Sequence, residues 1–174
     1  MAELLTQYFD SLLITMAVLA VVVYVALHFV TAGYGMMYNK RWGLTVNNRL
    51  GWVLMEAPAF IVMFALWWAS GRRFEAAPMV MAMLFLLHYF QRSFIFPMLI
   101  RGKGRMPWSI ILMGVIFNSI NAVMQGGWIF YVSAPDRYPT SWLCSPQFII
   151  GALVFFTGMA INIHSDSVIR NLRR

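Results

Sequence analysis

Five runs of apolar residues divide the chain, and each is long enough to cross a lipid bilayer. A transmembrane helix needs roughly 20 residues, and it pairs its backbone polar groups within one segment, as hydrocarbon surroundings require. The linkers between the runs contain the Gly, Pro, Asn and Ser residues that end helices. The pattern therefore predicts an all-α integral membrane bundle with five transmembrane helices, at about residues 11–32, 50–69, 78–100, 108–132 and 147–165.

The composition supports the same class of protein. Hydrophobic residues make up 61% of the chain and charged residues 11%, whereas soluble domains average about 45–50% and about 25%. The net charge of +7 comes from short basic clusters between the apolar runs, which indicates membrane topology rather than nucleic-acid binding. Cys144 is the single cysteine, so no intrachain disulfide or cysteine zinc site is expected. Residues 1–174 are read as one transmembrane domain without a metal site.

The distribution of Lys and Arg predicts the orientation in the membrane. Three such residues lie in the second and fourth linkers, whereas nine lie in the first linker, the third linker and the C-terminal tail. The richer side is expected to be cytosolic. The N-terminus is then outside or lumenal and residue 174 cytosolic, in a bacterial inner membrane or the endoplasmic reticulum.

Several ionisable side chains fall inside the predicted spans. Glu56 lies about seven residues into the second span, roughly 10 Å from its cytosolic end, and Pro58 is expected to disturb the helix beside it. The third span contains His88, Tyr89 and Arg92. Ionisable residues at such depths indicate functional sites. The structural alternative is a buried Glu56–Arg92 ion pair that joins two helices.

The end of the fifth apolar run carries a polar stripe. Asn162, Asp166 and Arg170 are spaced at i, i+4 and i+8, and Arg173 follows three residues later. A continuous helix places them on one face that runs out of the membrane. Contact with lipid phosphates would explain Arg173 and Arg174, but it does not explain Asn162 and Asp166 at headgroup depth or below.

Several sequence motifs resemble those of the steroid 5-alpha-reductase family. They are YG (34–35), WVLMEAP (52–58), LLHYFQRSFIFPMLIRG (86–102), FNSINAVMQG (117–126) and GMAINIHSDSVIRNLRR (158–174). The resemblance covers the chain from about residue 33 onward. It implies a membrane enzyme that uses NADPH to reduce the 4,5 double bond of 3-oxo-4-ene steroids.

The resemblance also implies roles for single residues. Glu56 and Tyr89 match the residues that hold the steroid 3-oxo group, and the cofactor-binding positions match Asn162, Asp166, Arg170 and Arg173. Met55 stands where the family often has Gln. The family fold has seven helices, so a C-terminal part with two further helices is expected to complete the site.

The residue types suit this chemistry. An enone accepts hydride at its β carbon when a donor stabilises the charge that develops on its carbonyl oxygen. Tyr89 is the natural donor, and Glu56 can assist when it is protonated. His88 is either a proton relay or a packing residue bonded to a neighbouring span. No G-x-G-x-x-G motif follows a strand, whereas arginines such as Arg170 bind phosphate bidentately.

Two other functions remain open. The substrate can be another lipid enone or enoyl compound, such as a polyprenol-related lipid or an enoyl thioester. Alternatively, the chain is a non-catalytic membrane subunit or small transporter whose polar groups only pack helices. NADPH consumption with a lipid substrate separates the enzymes from the binding protein.

Overall fold

A computed structural model describes residues 2–30, 42–102 and 104–172, and it has five helices long and apolar enough to cross a membrane. The predicted all-α membrane bundle is confirmed. The third span combines two α-helices around a π-helical segment at Gln91–Ile95, and the fourth ends in a second one at Trp128–Val132. The α-helices are α1 (Ala2–Ala26), α2 (Asn48–Ala69), α3 (Ala76–Phe90), α4 (Phe96–Leu99), α5 (Trp108–Gly127) and α6 (Pro146–Leu172).

The helix ends differ from the predicted boundaries at both ends of the chain. α1 starts at Ala2, because the good helix formers that precede the apolar run join the helix. It ends at Ala26, where the imidazole Nδ1 of His28 lies 2.9 Å from the carbonyl oxygen of Tyr24. α6 continues through the polar residues to Leu172. The predicted continuous helix is therefore present.

A short antiparallel ribbon joins the starts of two helices. Strand β1 (Thr45–Asn47) precedes α2 directly, strand β2 (Arg105–Pro107) precedes α5 directly, and Val46 pairs with Met106. The Arg105 guanidinium strengthens the ribbon by donating to Thr45 Oγ1 over 2.6 Å. Because the strands come from the first and third linkers, these linkers lie on the same side of the bundle. The ribbon also fixes the register of α2 against α5.

The centre of the bundle is the contact between α2 and α5. Met63 and Ala122 are fully buried in a cluster that also includes residues of α3 and the second π-helical segment. Small residues bring the backbones together, as in other membrane helix pairs. At Gly114 of α5, an added Cβ would collide with Met55 Cγ. Met55 therefore packs closely against α5.

Replacing Gly114 by alanine is expected to lower the thermal stability of the detergent-solubilised protein. The new methyl group must displace Met55, and overpacking of this kind costs about 1–3 kcal/mol. Gly158→Ala in α6 is the matched control, because a Cβ there meets no atom within 4 Å. Equal unfolding temperatures for the two variants would show that α2 and α5 do not pack as closely as described.

Two arginines cap the ends of neighbouring spans. Arg49, at the start of α2, donates from Nε and Nη2 to the carbonyl oxygen of Ile100 over 3.1 and 2.8 Å. On the opposite side, Arg72 donates from Nη1 to the carbonyl oxygens of Ile129 and Ser133 over 3.0 and 3.2 Å. Both sides of the bundle thus use arginines to cap the ends of spans.

Candidate active site

Four polar side chains form a hydrogen-bonded chain across α2, α3 and α5. Asn118 Nδ2 donates to Glu56 Oε2 over 3.3 Å, and Tyr89 Oη donates to Asn118 Oδ1 over 3.3 Å. Asn121 Nδ2 then donates to Tyr89 Oη over 2.9 Å. The structure therefore brings together Glu56 and Tyr89, which the sequence singled out separately. We call these four residues the carbonyl network.

Asn118 orients its two neighbours in this network, Glu56 and Tyr89. It is 6% exposed, and its Nδ2 also donates to the carbonyl oxygen of Met55 over 2.7 Å. A backbone carbonyl only accepts hydrogen bonds, so this contact directs the amide nitrogen towards α2 and the amide oxygen towards Tyr89. The two asparagines lie in the quoted motif FNSINAVMQG, but the sequence reading gave them no role. The signal that could have identified them is the presence of two polar amide side chains within an apolar span.

Aromatic rings surround Tyr89. Its ring centroid lies 4.6 Å from that of Phe85 and 5.1 Å from that of His88. His88 in turn meets the ring of Phe155 on α6 at 6.4 Å, in an edge-to-face arrangement. Among the described residues, His88 contacts α6 through this ring and through no hydrogen bond. This contact favours the predicted packing role of His88. The contact is between two aromatic rings, whereas a hydrogen bond was expected.

Arg92 does not form the ion pair considered from the sequence. Its Nη1 donates to Asp166 Oδ2 over 2.8 Å, and the two side chains are only 16% and 19% exposed. Its guanidinium also lies 4.8 Å from the ring centroid of Trp52 and 4.3 Å from that of Phe96. Within the described part of the chain, Arg92 pairs with α6 and not with Glu56.

The polar stripe occupies the bundle-facing side of α6. Asn162, Asp166 and Arg170 are all half-buried, whereas the neighbouring Ile163 is exposed. Asn162 Oδ1 is buried without a hydrogen-bond partner, and Arg170 Nη2 donates to Ser167 Oγ over 3.1 Å. The predicted common face is therefore present for these three residues. Arg173 lies outside the described residues, as does the motif at 34–35.

An apolar cavity of about 240 Å³ lies one helical turn from Tyr89, away from the ribbon. Phe85, Phe155 and Met63 contribute to its walls, and Gln125 adds an amide at one side. Its lining suits an apolar molecule. Among residues 2–30, 42–102 and 104–172, no group of three His, Cys, Asp or Glu side chains is arranged to hold a metal ion.

Comparison with known proteins finds one family repeatedly. Residues 104–174 match the family model described as 3-oxo-5-alpha-steroid 4-dehydrogenase. The chain is 35% identical over 169 residues to 3-oxo-5-alpha-steroid 4-dehydrogenase 1 of Bos taurus, which covers 95% of the chain. It is 29% identical over 170 residues to steroid 5-alpha-reductase DET2 of Gossypium hirsutum, again over 95% of the chain.

The chain is shorter than these relatives. It spans 65% of the length of the bovine protein and 65% of that of the cotton protein. Over 127 residues it is also 37% identical to 3-oxo-5-alpha-steroid 4-dehydrogenase 2 of Homo sapiens, which covers 72% of the chain and 48% of the human protein. The matches therefore extend along nearly the whole chain but along only part of each relative.

Proposed function

We propose that the chain forms part of a membrane-embedded, NADPH-dependent steroid 5-alpha-reductase. The premise is its similarity to the 3-oxo-5-alpha-steroid 4-dehydrogenases, which extends along 95% of its length. The proposed reaction saturates the 4,5 double bond of a 3-oxo-4-ene steroid. The observation that carries the proposal is the carbonyl network, which joins Glu56 and Tyr89 through Asn118 in the interior of the bundle.

The proposed role of the carbonyl network is to polarise the steroid 3-oxo group. Asn121 donates to Tyr89 Oη over 2.9 Å, and such a bond makes the phenol a stronger donor. When substrate binds, the Tyr89 hydroxyl is proposed to break its longer hydrogen bond of 3.3 Å to Asn118 and to donate to the substrate oxygen instead. Glu56 donates a second hydrogen bond to that oxygen when its carboxyl group is protonated. Donors placed in this way stabilise the enolate-like charge that develops during reduction.

The stripe on α6 suits a dinucleotide. Bound NADPH would supply the hydride for the β carbon of the enone, and a proton added at the α carbon would complete the reduction. Asn162 offers a buried amide oxygen without a partner, and Asp166 uses one carboxylate oxygen for Arg92 and leaves the other open among the described residues. Arg170, at the cytosolic end of the stripe, suits a phosphate. We propose that these three residues and Arg173 bind NADPH.

The substrate is proposed to be a steroid rather than another lipid. Both classes suit the apolar cavity one helical turn from Tyr89, but the relatives described above are all named for reactions of steroids. We also propose that a C-terminal segment with two further helices, as the family resemblance implies, completes the cofactor site. It would lie against α6, whose side away from the bundle exposes Val154 and Ile161.

Turnover with defined lipids tests this function. The complete protein in lipid nanodiscs is expected to oxidise NADPH when a 3-oxo-4-ene steroid is added and to release the 5-alpha-reduced product. The saturated 3-oxo steroid is the matched control and should give no oxidation. Activity only with a polyprenol-related enone or an enoyl thioester would replace the substrate class, and NADPH consumption with none of these lipids would favour the non-catalytic alternative.

The proposed topology makes Cys144 a natural reporter. This exposed cysteine lies between the fourth and fifth spans, on the side opposite the ribbon. A membrane-impermeant maleimide should therefore label it from outside the cell or from the lumen. In a Cys144→Ala background, Arg101→Cys places the reporter at an exposed position on the other side, where labelling should require permeabilisation. The reverse labelling pattern would contradict an outside N-terminus.

A further inference from the structure

Arg92 is the one described residue that ties the polar stripe of α6 to the third span through an ion pair. Its guanidinium lies between the rings of Trp52 and Phe96, at 4.8 and 4.3 Å. Two aromatic faces and one carboxylate therefore hold the cation within the membrane-spanning bundle. A side chain held in this way has little freedom, so it can fix the position of its partner.

That partner is Asp166, and only one of its two carboxylate oxygens contacts Arg92. Oδ2 accepts from Arg92 Nη1 over 2.8 Å, whereas Oδ1 has no hydrogen-bond partner among the described residues. The side chain is 19% exposed, and Oδ1 is not a fully buried atom, so a ligand or water can reach it. An ionised carboxylate retains further acceptor sites after one such bond. The open oxygen is therefore available to a ligand.

The neighbouring stripe residue presents an acceptor as well. Asn162, one helical turn before Asp166, has its Oδ1 buried without a partner. Two unfilled acceptors on one helix face require a ligand that brings hydrogen-bond donors. Hydroxyl groups and a carboxamide N–H are such donors, and a dinucleotide carries both.

We propose that Arg92 is a positioning residue for the cofactor: it holds the Asp166 carboxylate turned so that Oδ1 accepts a hydrogen bond from a hydroxyl or amide group of the dinucleotide. This inference rests on the proposed function. It assigns Arg92 an action through Asp166 and no direct contact with the steroid. It also explains why the arginine pairs with α6 rather than with the nearby Glu56.

Affinity for NADPH measured apart from turnover tests the proposal. In the complete protein that reduces steroid, Arg92→Gln is expected to raise the Kd for NADPH about tenfold or more. An increase of this size is the effect of losing a hydrogen bond to a charged group. Asp166→Asn should raise it similarly, and the double variant should be little worse than either. The KM for steroid should change far less. Arg92→Lys, which keeps the charge, should give an intermediate Kd.

The reversed pair distinguishes positioning from simple cross-linking of helices. Arg92→Asp combined with Asp166→Arg restores an ion pair, and the unfolding temperature should recover, but the Kd for NADPH should stay high because the carboxylate has left α6. The proposal would be overturned if the reversed pair recovered both the unfolding temperature and the wild-type Kd for NADPH. It would also be overturned if a stable Arg92→Lys or Arg92→Gln protein kept the wild-type Kd. Arg137→Gln, at an exposed position, is the control. An inactive wild-type protein would instead refute the proposed function.

Discussion

Glu56→Gln and Tyr89→Phe are each expected to abolish most steroid turnover while leaving NADPH binding nearly intact. Both side chains belong to the carbonyl network. Tyr89→Phe removes the phenol donor, and Glu56→Gln replaces the acidic O–H donor by a weaker amide donor. Removing one such donor typically lowers kcat by about 10²–10³-fold. The measurements are kcat with a 3-oxo-4-ene steroid and the Kd for NADPH.

Matched substitutions elsewhere in the chain control for this result. Tyr131→Phe removes a phenol that donates to the carbonyl oxygen of Leu66, and Glu75→Gln alters a carboxylate that pairs with Arg72 outside the network. Both should keep most of the turnover. Wild-type rates in Glu56→Gln and Tyr89→Phe would show that the carbonyl-polarising role is wrong.

The second large effect concerns the part of the relatives that lies beyond the match. Residues 1–174 alone are expected to bind NADPH weakly or not at all, because the half-buried stripe of Asn162, Asp166 and Arg170 provides one wall of the proposed site. A segment added after residue 174, in the same chain or as a separate fragment, should restore both binding and reduction. Titration with NADPH in detergent measures the first effect, and product formation measures the second.

An unrelated fragment of two membrane spans is the control for this experiment, since it adds apolar helices without the proposed wall. Micromolar binding by residues 1–174 alone would mean that the stripe is already a complete site. Restoration by the unrelated fragment would indicate that helix packing, and not a specific second wall, had been missing.

Much of the fold follows from hydrophobic patterning. The five runs become five helices because lipid leaves a chain few other ways to satisfy its backbone. The common face of Asn162, Asp166 and Arg170 follows from helical spacing alone, and the helix is continuous there. Exact ends were less predictable, since residues 2–10 and 166–172 extend the helices beyond the predicted apolar runs.

The partner of Arg92 was beyond sequence reasoning. A π-helical segment begins at Gln91, so α-helical spacing does not give the direction of Arg92 relative to His88 and Tyr89. The choice between Glu56 and Asp166 as partner also depends on how α6 packs, and no local pattern encodes this packing. Asn118 was a different case, because its amide within an apolar run was visible and only its role was missed.

The ribbon between β1 and β2 was also invisible in the sequence, since strands of three residues are too short to show alternation. It has a consequence for biosynthesis. Val46 emerges from the ribosome long before its partner Met106, so the second span enters the bilayer while the ribbon is still open. Glu56 is therefore in the membrane before its hydrogen-bond donor Asn118, which arrives with the fourth span. Closure of the ribbon then aligns the two spans, and the carbonyl network assembles only after the fourth span has been inserted.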